Sequence, residues 1–192
     1  MNGHYKAAGR IFRPWKNGGG QTAEIAVSPA GADFAGFDWR ISTAIVASDG
    51  PFSLFPDVDR VLAVLEGGPM RLDIAGQSHV LTADSLALAF PGDVPSAAEL
   101  TEGPILDFNV MTRRPLKAEV TRGPFSPPAG PAPARPAIAR LALLLEQGGG
   151  LERLDLVDLD ACDPALLLSL KGLQTLMVTI TDPASVTLSG QR

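Results

Sequence analysis

Apolar and polar positions alternate in short runs along the first half of the chain. The clearest run covers residues 37–46, where Trp39 and Ile41 fall on one face and Arg40 and Ser42 fall on the other. A period of two is typical of a β-strand, because successive side chains point to opposite faces of a sheet. The alternation leaves open which of the two faces lines the interior.

The same reasoning predicts further strands at residues 21–27, 61–65, 70–74, 79–81, 86–90 and 105–112. Turn-forming sequences rich in Gly and Pro separate these runs, and residues 75–78 suit the turn of a hairpin. In the last run, Asp107 and Asn109 alternate with Leu106 and Phe108, which poses the same choice of face. Short strands with turns at intervals of roughly 8–12 residues are typical of a sandwich or a barrel.

A Pro-rich segment separates these strands from the last third of the chain. Residues 116–136 contain six prolines, and we interpret them as a semi-rigid connector. Beyond the connector, residues 141–148 resemble 61–68, and residues 163–169 resemble 84–90. These nearly equal offsets, each of about 80 residues, favour a duplicated β unit.

The sequence therefore predicts an all-β bicupin, with two antiparallel jelly-roll-like barrels. The predicted parts are an N-terminal cupin-like barrel over residues 1–115, the connector over 116–136 and a C-terminal cupin-like half over 137–192. One alternative is that the matches are coincidence among Leu-rich strands. The other is that residues 137–147 form a helix, because their composition suits helix propensity.

Composition narrows the classes of function. Hydrophobic residues make up 45% of the chain and charged residues 19%, which is typical of a folded globular protein. A formal net charge of −5 without a basic stripe argues against nucleic acid as a partner. No apolar run approaches the length of a membrane span, so we expect no membrane partner. Cys162 is the single cysteine and the N-terminus lacks the apolar stretch of a signal peptide, so we expect a cytoplasmic protein.

A series of specific motifs lies between residues 14 and 114. Residues 14–25 read PWKNGGGQTAEI, residues 37–42 read FDWRIS, residues 50–60 read GPFSLFPDVDR and residues 107–113 read DFNVMTR. In this order the motifs resemble those of the HutD/Ves family, whose signature begins PWKNGGG-x-T-x-E-I. Beyond residue 115 the resemblance is thin.

The resemblance implies a bicupin fold. For members of the HutD type it also implies a link to histidine utilisation, in which the protein restrains histidine-catabolic genes by binding a metabolite such as formylglutamate or urocanate. Members of the Ves type are associated with stress. Because members of the family are not established enzymes, the resemblance predicts a small-molecule-binding regulatory protein without a cofactor.

Polar residues in these motifs predict a ligand site in the first half of the chain. The Gly-rich turn at residues 17–20 offers backbone amides that could converge on an anion, and Lys16 adds a positive charge beside it. Arg40 could bind a carboxylate through two parallel hydrogen bonds. The alternatives are a purely structural turn and an Arg40 that points into solvent. The predicted ligand-binding residues are Trp15, Lys16, Asn17, Gly18, Gly19, Thr22, Glu24, Arg40, Ser42, Asp93 and Asn109.

We expect Lys16 and Arg40 to bind the carboxylate of one small anionic metabolite together. The ligand's other polar groups would then contact Asn17, Thr22 and Asn109. We interpret three further arginines, Arg60, Arg113 and Arg114, as ordinary surface charges. For the oligomeric state, we consider a homodimer possible.

Metal and enzyme chemistry are weighed against this binding function. The chain has two histidines, His4 in an expected mobile terminus and His79 in a hairpin strand, and it lacks the HxH-x-E pattern of metal-binding cupins. We therefore expect no transition metal. The alternatives are a metal-free cupin enzyme, an isomerase or hydrolase with Glu24 or Asp93 as general base, and a structural protein with a filled core. A carboxylate with a raised pKa in a cleft would favour the enzyme.

Overall fold

The chain is almost entirely antiparallel β-structure, which confirms the predicted all-β class. The computed structural model describes residues 3–127 and 137–186. They form two compact units, a first unit of residues 10–114 and a second unit that combines the described parts of 1–9 and 115–192. In the described residues, no helix is long and apolar enough to cross a membrane.

The first strand of the chain, β1 (His4–Tyr5), belongs to the second unit. The strands of the first unit are β2 (Arg13–Pro14), β3 (Gly20–Ser28), β4 (Trp39–Val46), β5 (Gly50–Pro51), β6 (Val58–Glu66), β7 (Met70–Ile74), β8 (Gln77–Leu81), β9 (Leu88–Pro91), β10 (Ser96–Leu100) and β11 (Ile105–Arg113). Each strand predicted in this half coincides with one of these to within a few residues. The short strands β2 and β5, and the longer β10, were not predicted.

Two antiparallel sheets build the first unit. Six strands form one sheet in the order β2-β3-β4-β11-β6-β9, and four form the other in the order β5-β10-β7-β8. Apolar side chains of both sheets share one buried cluster, which includes Val46, Leu62, Val64 and Ile105 of the larger sheet and Met70, Leu72, Ile74 and Ala98 of the smaller one. The two sheets therefore pack face to face around a common core.

The second unit contains a single described sheet. Its remaining elements are β12 (Lys117–Pro124), β13 (Ala137–Leu144), β14 (Leu156–Asp158), α1 (Pro164–Ser169), β15 (Gln174–Thr181) and a 3₁₀ helix at Pro183–Val186. The five strands lie in the order β1-β14-β13-β15-β12. Ala142, Leu144 and Val157 pack with Leu170, which follows α1, so the helix covers part of one sheet face.

The structure of residues 163–169 contradicts their predicted match to residues 84–90. Asp163 caps α1, because its side chain accepts a hydrogen bond of 2.8 Å from the Leu166 amide, and Pro164 occupies the first helical turn. The segment matched to it, residues 84–90, leads into strand β9. These two segments do not share a structure. The alternative of a helix over residues 137–147 is also wrong, because β13 occupies most of that stretch.

The connector predicted over residues 116–136 is wrong for its first part. Residues 117–124 form β12, which pairs with β15 along its whole length. Ala118 and Val120 are half-buried and alternate with exposed polar residues, the pattern of a strand with one covered face. Residues 128–136 lie outside the described part of the chain.

The N-terminal segment is held in place rather than mobile, contrary to the expectation for His4. Strand β1 pairs with β14, so it joins the second unit and not the barrel predicted over residues 1–115. The His4 Nε2 atom lies 2.7 Å from the buried Asp155 carboxylate, which also accepts hydrogen bonds from the amides of Ala7 and Glu152.

Gly20 is expected to be required where β3 passes close to β4. A Cβ atom there would overlap the carbonyl oxygen of Ile45 and lie 3.1 Å from the Trp15 ring. Gly20→Ala should lower the free energy of unfolding by about 1–3 kcal/mol, the usual cost of overpacking, as measured by urea denaturation. Gly50→Ala is the control, because a Cβ there meets no heavy atom within 4 Å. Equal midpoints for the two variants would contradict this account.

Candidate functional site

The polar positions of β4 and β11 lie on the inner face of the six-stranded sheet. Arg40 and Ser42 share a face with Val46, which belongs to the core between the sheets. Ser42 pairs with Asn109 across the two strands, so Asp107 and Asn109 lie on the same inner face. The choice of face that the sequence left open is therefore resolved in favour of an inward polar row.

Arg60 of β6 completes this row, and its interpretation as a surface charge is wrong. Arg60 of β6 and Arg40 of β4 both pair with Met111 of β11, one from each side of that strand. Arg60 is 7% exposed and Arg40 is 8% exposed. Because a single strand separates β4 from β6, the two Cα atoms are about 10 Å apart. We call Arg40, Ser42, Arg60, Asp107 and Asn109 the polar row.

Arg60 is held mainly by aromatic rings. Its guanidinium carbon lies 4.9 Å from the ring centre of Phe52 and 5.2 Å from that of Phe90. Its Nε atom donates a hydrogen bond of 3.3 Å to the Asn109 side chain. Burial, and secondarily the like charge of Arg40, lower the pKa of Arg60 to about 10 against the opposing influence of Asp107, so it stays charged at neutral pH.

Arg40 has a carboxylate partner at the edge of the row. Its Nε atom donates to Glu24 at 2.9 Å and its Nη1 atom donates to Ser42 at 3.3 Å. The guanidinium carbon of Arg40 lies 4.6 Å from the ring centre of the exposed Phe34. That ring also stacks on Phe55, with ring centres 5.6 Å apart. The Glu24 side chain is 43% exposed, so solvent screens this ion pair.

Both arginines keep unused hydrogen-bond donors. Among the described residues, none accepts a hydrogen bond from Nη1 or Nη2 of Arg60, or from Nη2 of Arg40. Each guanidinium has five N–H donors in a planar fork that matches the two oxygens of a carboxylate. The row therefore presents two incompletely satisfied anion-binding groups on one buried face.

Asp107 is the buried acid of the row. It is 3% exposed, and its Oδ1 atom accepts a hydrogen bond of 3.1 Å from the Ala44 amide. Burial raises the pKa of Asp107 to about 7, although the charge of Arg60 and the Ala44 hydrogen bond act in the opposite direction. The row thus holds two cations and one acid that is half-neutral near pH 7, and the screened carboxylate of Glu24 lies at its edge, so the net charge is positive.

The Gly-rich turn uses its own amides. The Gly18 amide donates to the Trp15 carbonyl at 3.1 Å, and the Gly19 amide donates to the Asn17 side chain at 3.1 Å. Gly18 has a φ of +74°, a conformation that favours glycine. These contacts support the interpretation of a structural turn, because neither amide is left for an anion. Lys16 and Asn17 are exposed.

The structure does not bring Lys16 and Arg40 together. The turn joins β3 at Gly20, which pairs with Val46 at one end of β4, whereas Arg40 lies near the other end. Six residues of extended chain separate Val46 from Arg40, or roughly 20 Å. A single small carboxylate does not span that distance, so Lys16 falls outside the polar row.

Two other predicted residues have structural partners near the turn. The Trp15 Nε1 atom donates a hydrogen bond of 2.7 Å to the Thr22 hydroxyl, and the Trp15 ring packs against the core between the sheets. Trp15 therefore closes one end of the core, and the hydroxyl of Thr22 serves to hold it.

Asp93 is engaged by Arg114. Both carboxylate oxygens of Asp93 accept hydrogen bonds from Arg114, at 2.6 Å and 3.0 Å, and Arg114 also donates to Asp59 at 2.8 Å. These contacts lower the pKa of Asp93, which argues against a general base. Arg113 is likewise not a free surface charge, since it donates to the carbonyls of Phe37 and Ala35.

Other candidate chemistry is weaker. Within the described ranges, no three His, Cys, Asp or Glu side chains lie close enough together to hold a metal ion. Burial raises the pKa of the Cys162 thiol, and Asp163 adds to the effect, so the thiolate is disfavoured.

Four residues of the site are absent from the predicted ligand-binding residues. Asp107 was considered with Asn109 as a possible inward-facing residue, but only Asn109 was included. Arg60 lies in a strand that is apolar on both faces, so periodicity gave no signal for it. The aromatic residues beside the arginines, Phe34 and Phe52, lie in loops whose positions depend on the tertiary fold.

The fold and the site define a class: antiparallel β proteins whose two-sheet unit encloses a polar row with two buried arginines. The family model for HutD matches residues 11–181. The chain therefore belongs to the HutD family, which confirms the resemblance seen in its motifs.

Relatives and solved structures agree with this assignment. Protein Ves of Cronobacter sakazakii is 44% identical over 101 residues, 52% of this chain and 54% of that protein. Protein Ves of Citrobacter koseri is 42% identical over 102 residues, 52% of each chain. The chain thus spans about half the length of these relatives in the matches.

Two solved structures match over nearly the whole chain. A conserved protein of unknown function from Pseudomonas aeruginosa PAO1 is 28% identical with a TM-score of 0.69, and the match covers 93% of this chain and 96% of that one. HutD from Pseudomonas fluorescens SBW25 is 26% identical with a TM-score of 0.68, and the match covers 93% and 97%.

Asp107 should make the stability of the protein depend on pH. Because its pKa is raised on folding, its stabilising effect is present below about pH 4 and is lost as pH rises to about 7, by about 1.4 kcal/mol per unit. Asp107→Asn should remove that slope, as measured by urea denaturation between pH 5 and pH 8. Asp93→Asn is the control, since Asp93 is exposed and its pKa is shifted down. Parallel curves for wild type and Asp107→Asn would rule this out.

Proposed function

We propose that the protein is a small-molecule-binding regulatory protein of the HutD type, which senses a small carboxylate metabolite of histidine catabolism. The formylglutamate and urocanate classes are the candidate ligands. The observation that carries the proposal is the pair of buried arginines, Arg40 and Arg60, with unused donors on one inner face. These donors are not among the buried side-chain atoms that lack a partner, so solvent reaches them, and an anionic ligand that replaces this water gains charge-assisted hydrogen bonds.

The spacing of the two arginines favours a ligand with two anionic groups. Their Cα atoms lie about 10 Å apart across β11, so each guanidinium can hold a separate carboxylate of one ligand. Formylglutamate carries two carboxylates and urocanate carries one. Asn109 and Ser42, which form the next cross-strand pair along the same face, two residues from the level of the arginines, would contact the ligand's remaining polar groups.

Family membership supports the regulatory side of the proposal. The matching structure from Pseudomonas fluorescens is a HutD protein, and the family model covers most of this chain. We also propose the bicupin arrangement that the family implies and, from the lone Cys162, a cytoplasmic location. The stress-associated role that resemblance to the Ves type implies is the alternative physiological setting.

A metal-free enzyme is the second candidate function, and Asp107 is the observation that favours it. A buried carboxyl whose pKa lies near 7 suits general acid–base catalysis. Asp107 is a better candidate than Glu24, which is paired with Arg40, or Asp93, which is held by Arg114. Incubating the protein with each metabolite and following the ligand by NMR separates the two functions, because a sensor leaves its ligand unchanged.

Formylglutamate or urocanate should raise the thermal stability of the protein. A ligand at 100 times its Kd stabilises the folded state by about 2.7 kcal/mol. Arg40→Lys and Arg60→Lys keep the charge and lose the fork, so each should weaken binding roughly ten- to a hundredfold. Isothermal titration calorimetry measures the affinities, and urea denaturation tests whether each variant is folded.

Lys16→Ala and Arg71→Ala are the matched controls. Lys16 lies at the far end of the sheet, and Arg71 is a surface residue paired with Glu99, so both variants should bind as the wild type does. The proposal fails if neither metabolite stabilises the wild type. It also fails if folded Arg40→Lys and Arg60→Lys proteins keep wild-type affinity.

A further inference from the structure

Asp107 is a buried acid to which the proposed binding function assigns no role. It lies two residues from Asn109 on the inner face of β11, and Asn109 is the acceptor of the Arg60 hydrogen bond. In the described part of the chain, Asp107 forms no ion pair within 4 Å, although the charge of Arg60 is felt at its carboxyl group. Asp107 and an incoming anion therefore depend on the same guanidinium.

We propose that Asp107 takes up a proton when the anionic ligand binds, because the ligand and the Asp107 carboxylate compete for the charge of Arg60. This inference rests on the proposed function, since it concerns the same polar row. The proton comes from water and ends on the Asp107 carboxyl, whose O–H can then donate a hydrogen bond to a ligand oxygen. The ligand itself is not changed.

The physical reason is the low dielectric around a fully buried acid. In the free protein, Arg60 offsets part of the cost of ionising Asp107, and the two groups shift each other's pKa. A ligand carboxylate on Arg60 removes that compensation and adds a like charge nearby. Both changes favour the neutral form of Asp107, and an acid that already titrates near neutrality responds in the physiological range.

Few other charged groups face Asp107. On the larger sheet they are Arg60, Arg40 and the half-exposed Glu24. On the smaller sheet, His79 pairs with the core residue Leu72 and so lies on its inner side. Histidine is the residue type that titrates in this range, so His79 provides the control.

The experiment measures the Kd of N-formylglutamate by calorimetry from pH 6 to pH 8 at constant ionic strength. Both carboxylates of this probe stay ionised throughout. The wild type should bind about tenfold more weakly at pH 8 than at pH 6. Titrations at pH 7.5 in buffers of different ionisation enthalpy should also reveal net proton uptake.

Asp107→Asn keeps a hydrogen-bond donor and cannot ionise, so its affinity should be independent of pH. His79→Gln should retain the pH dependence of the wild type. If Asp107→Asn does not fold, proton uptake by the wild type decides the question. If only urocanate binds, the same titrations run from pH 7 to pH 9.

The two proposals fail in different ways. Binding without pH dependence and without proton uptake would overturn the role of Asp107 and leave the carboxylate sensor intact. A pH dependence that disappears in His79→Gln would also overturn it. Binding of neither metabolite at any pH would overturn the proposed function together with this inference.

Discussion

An arginine side chain is buried at acceptable cost only when hydrogen-bond acceptors, aromatic rings or opposite charges replace its water. The inner face of the six-stranded sheet provides such contacts for two arginines. Arg40 has Glu24 and the ring of Phe34, whereas Arg60 has Asn109 and the rings of two buried or half-buried phenylalanines. The antiparallel order β4-β11-β6 places both arginines at one level beside Met111. Their shared need for acceptors organises the interior of the first unit.

Strand positions could be predicted from the sequence, because alternation depends on local geometry alone. The orientation of β4 could not, since Trp39 and Ile41 are buried on one face while Arg40 and Ser42 are buried on the other. In a strand covered on both sides, apolar character no longer identifies the interior. The cross-strand register with β11 supplied what the sequence lacked, because it places the polar residues opposite one another on the face that continues into the core.

Nearness in sequence misled the prediction at the Gly-rich turn. Lys16 and Glu24 are eight residues apart, but the first half of β3 extends between them, so Glu24 lies in the middle of the strand and Lys16 lies beyond its start. The reverse holds for Arg60, which is distant in sequence from Arg40 and yet lies at the same level. A site built across strands depends on tertiary pairing, and a single sequence records that pairing only through recognisable family motifs.

The two arginines of the row are not equivalent, and the difference bears on how an anion would bind. Arg40 is already paired with Glu24, and solvent at that exposed carboxylate limits what a further anion gains there. Arg60 has no carboxylate in contact among the described residues and is the more deeply desolvated in its surroundings of aromatic rings. An electrostatic attraction is stronger where water is excluded. Arg60 should therefore supply most of the binding energy for a carboxylate, while Arg40 orients the other end of the ligand at the edge of the row.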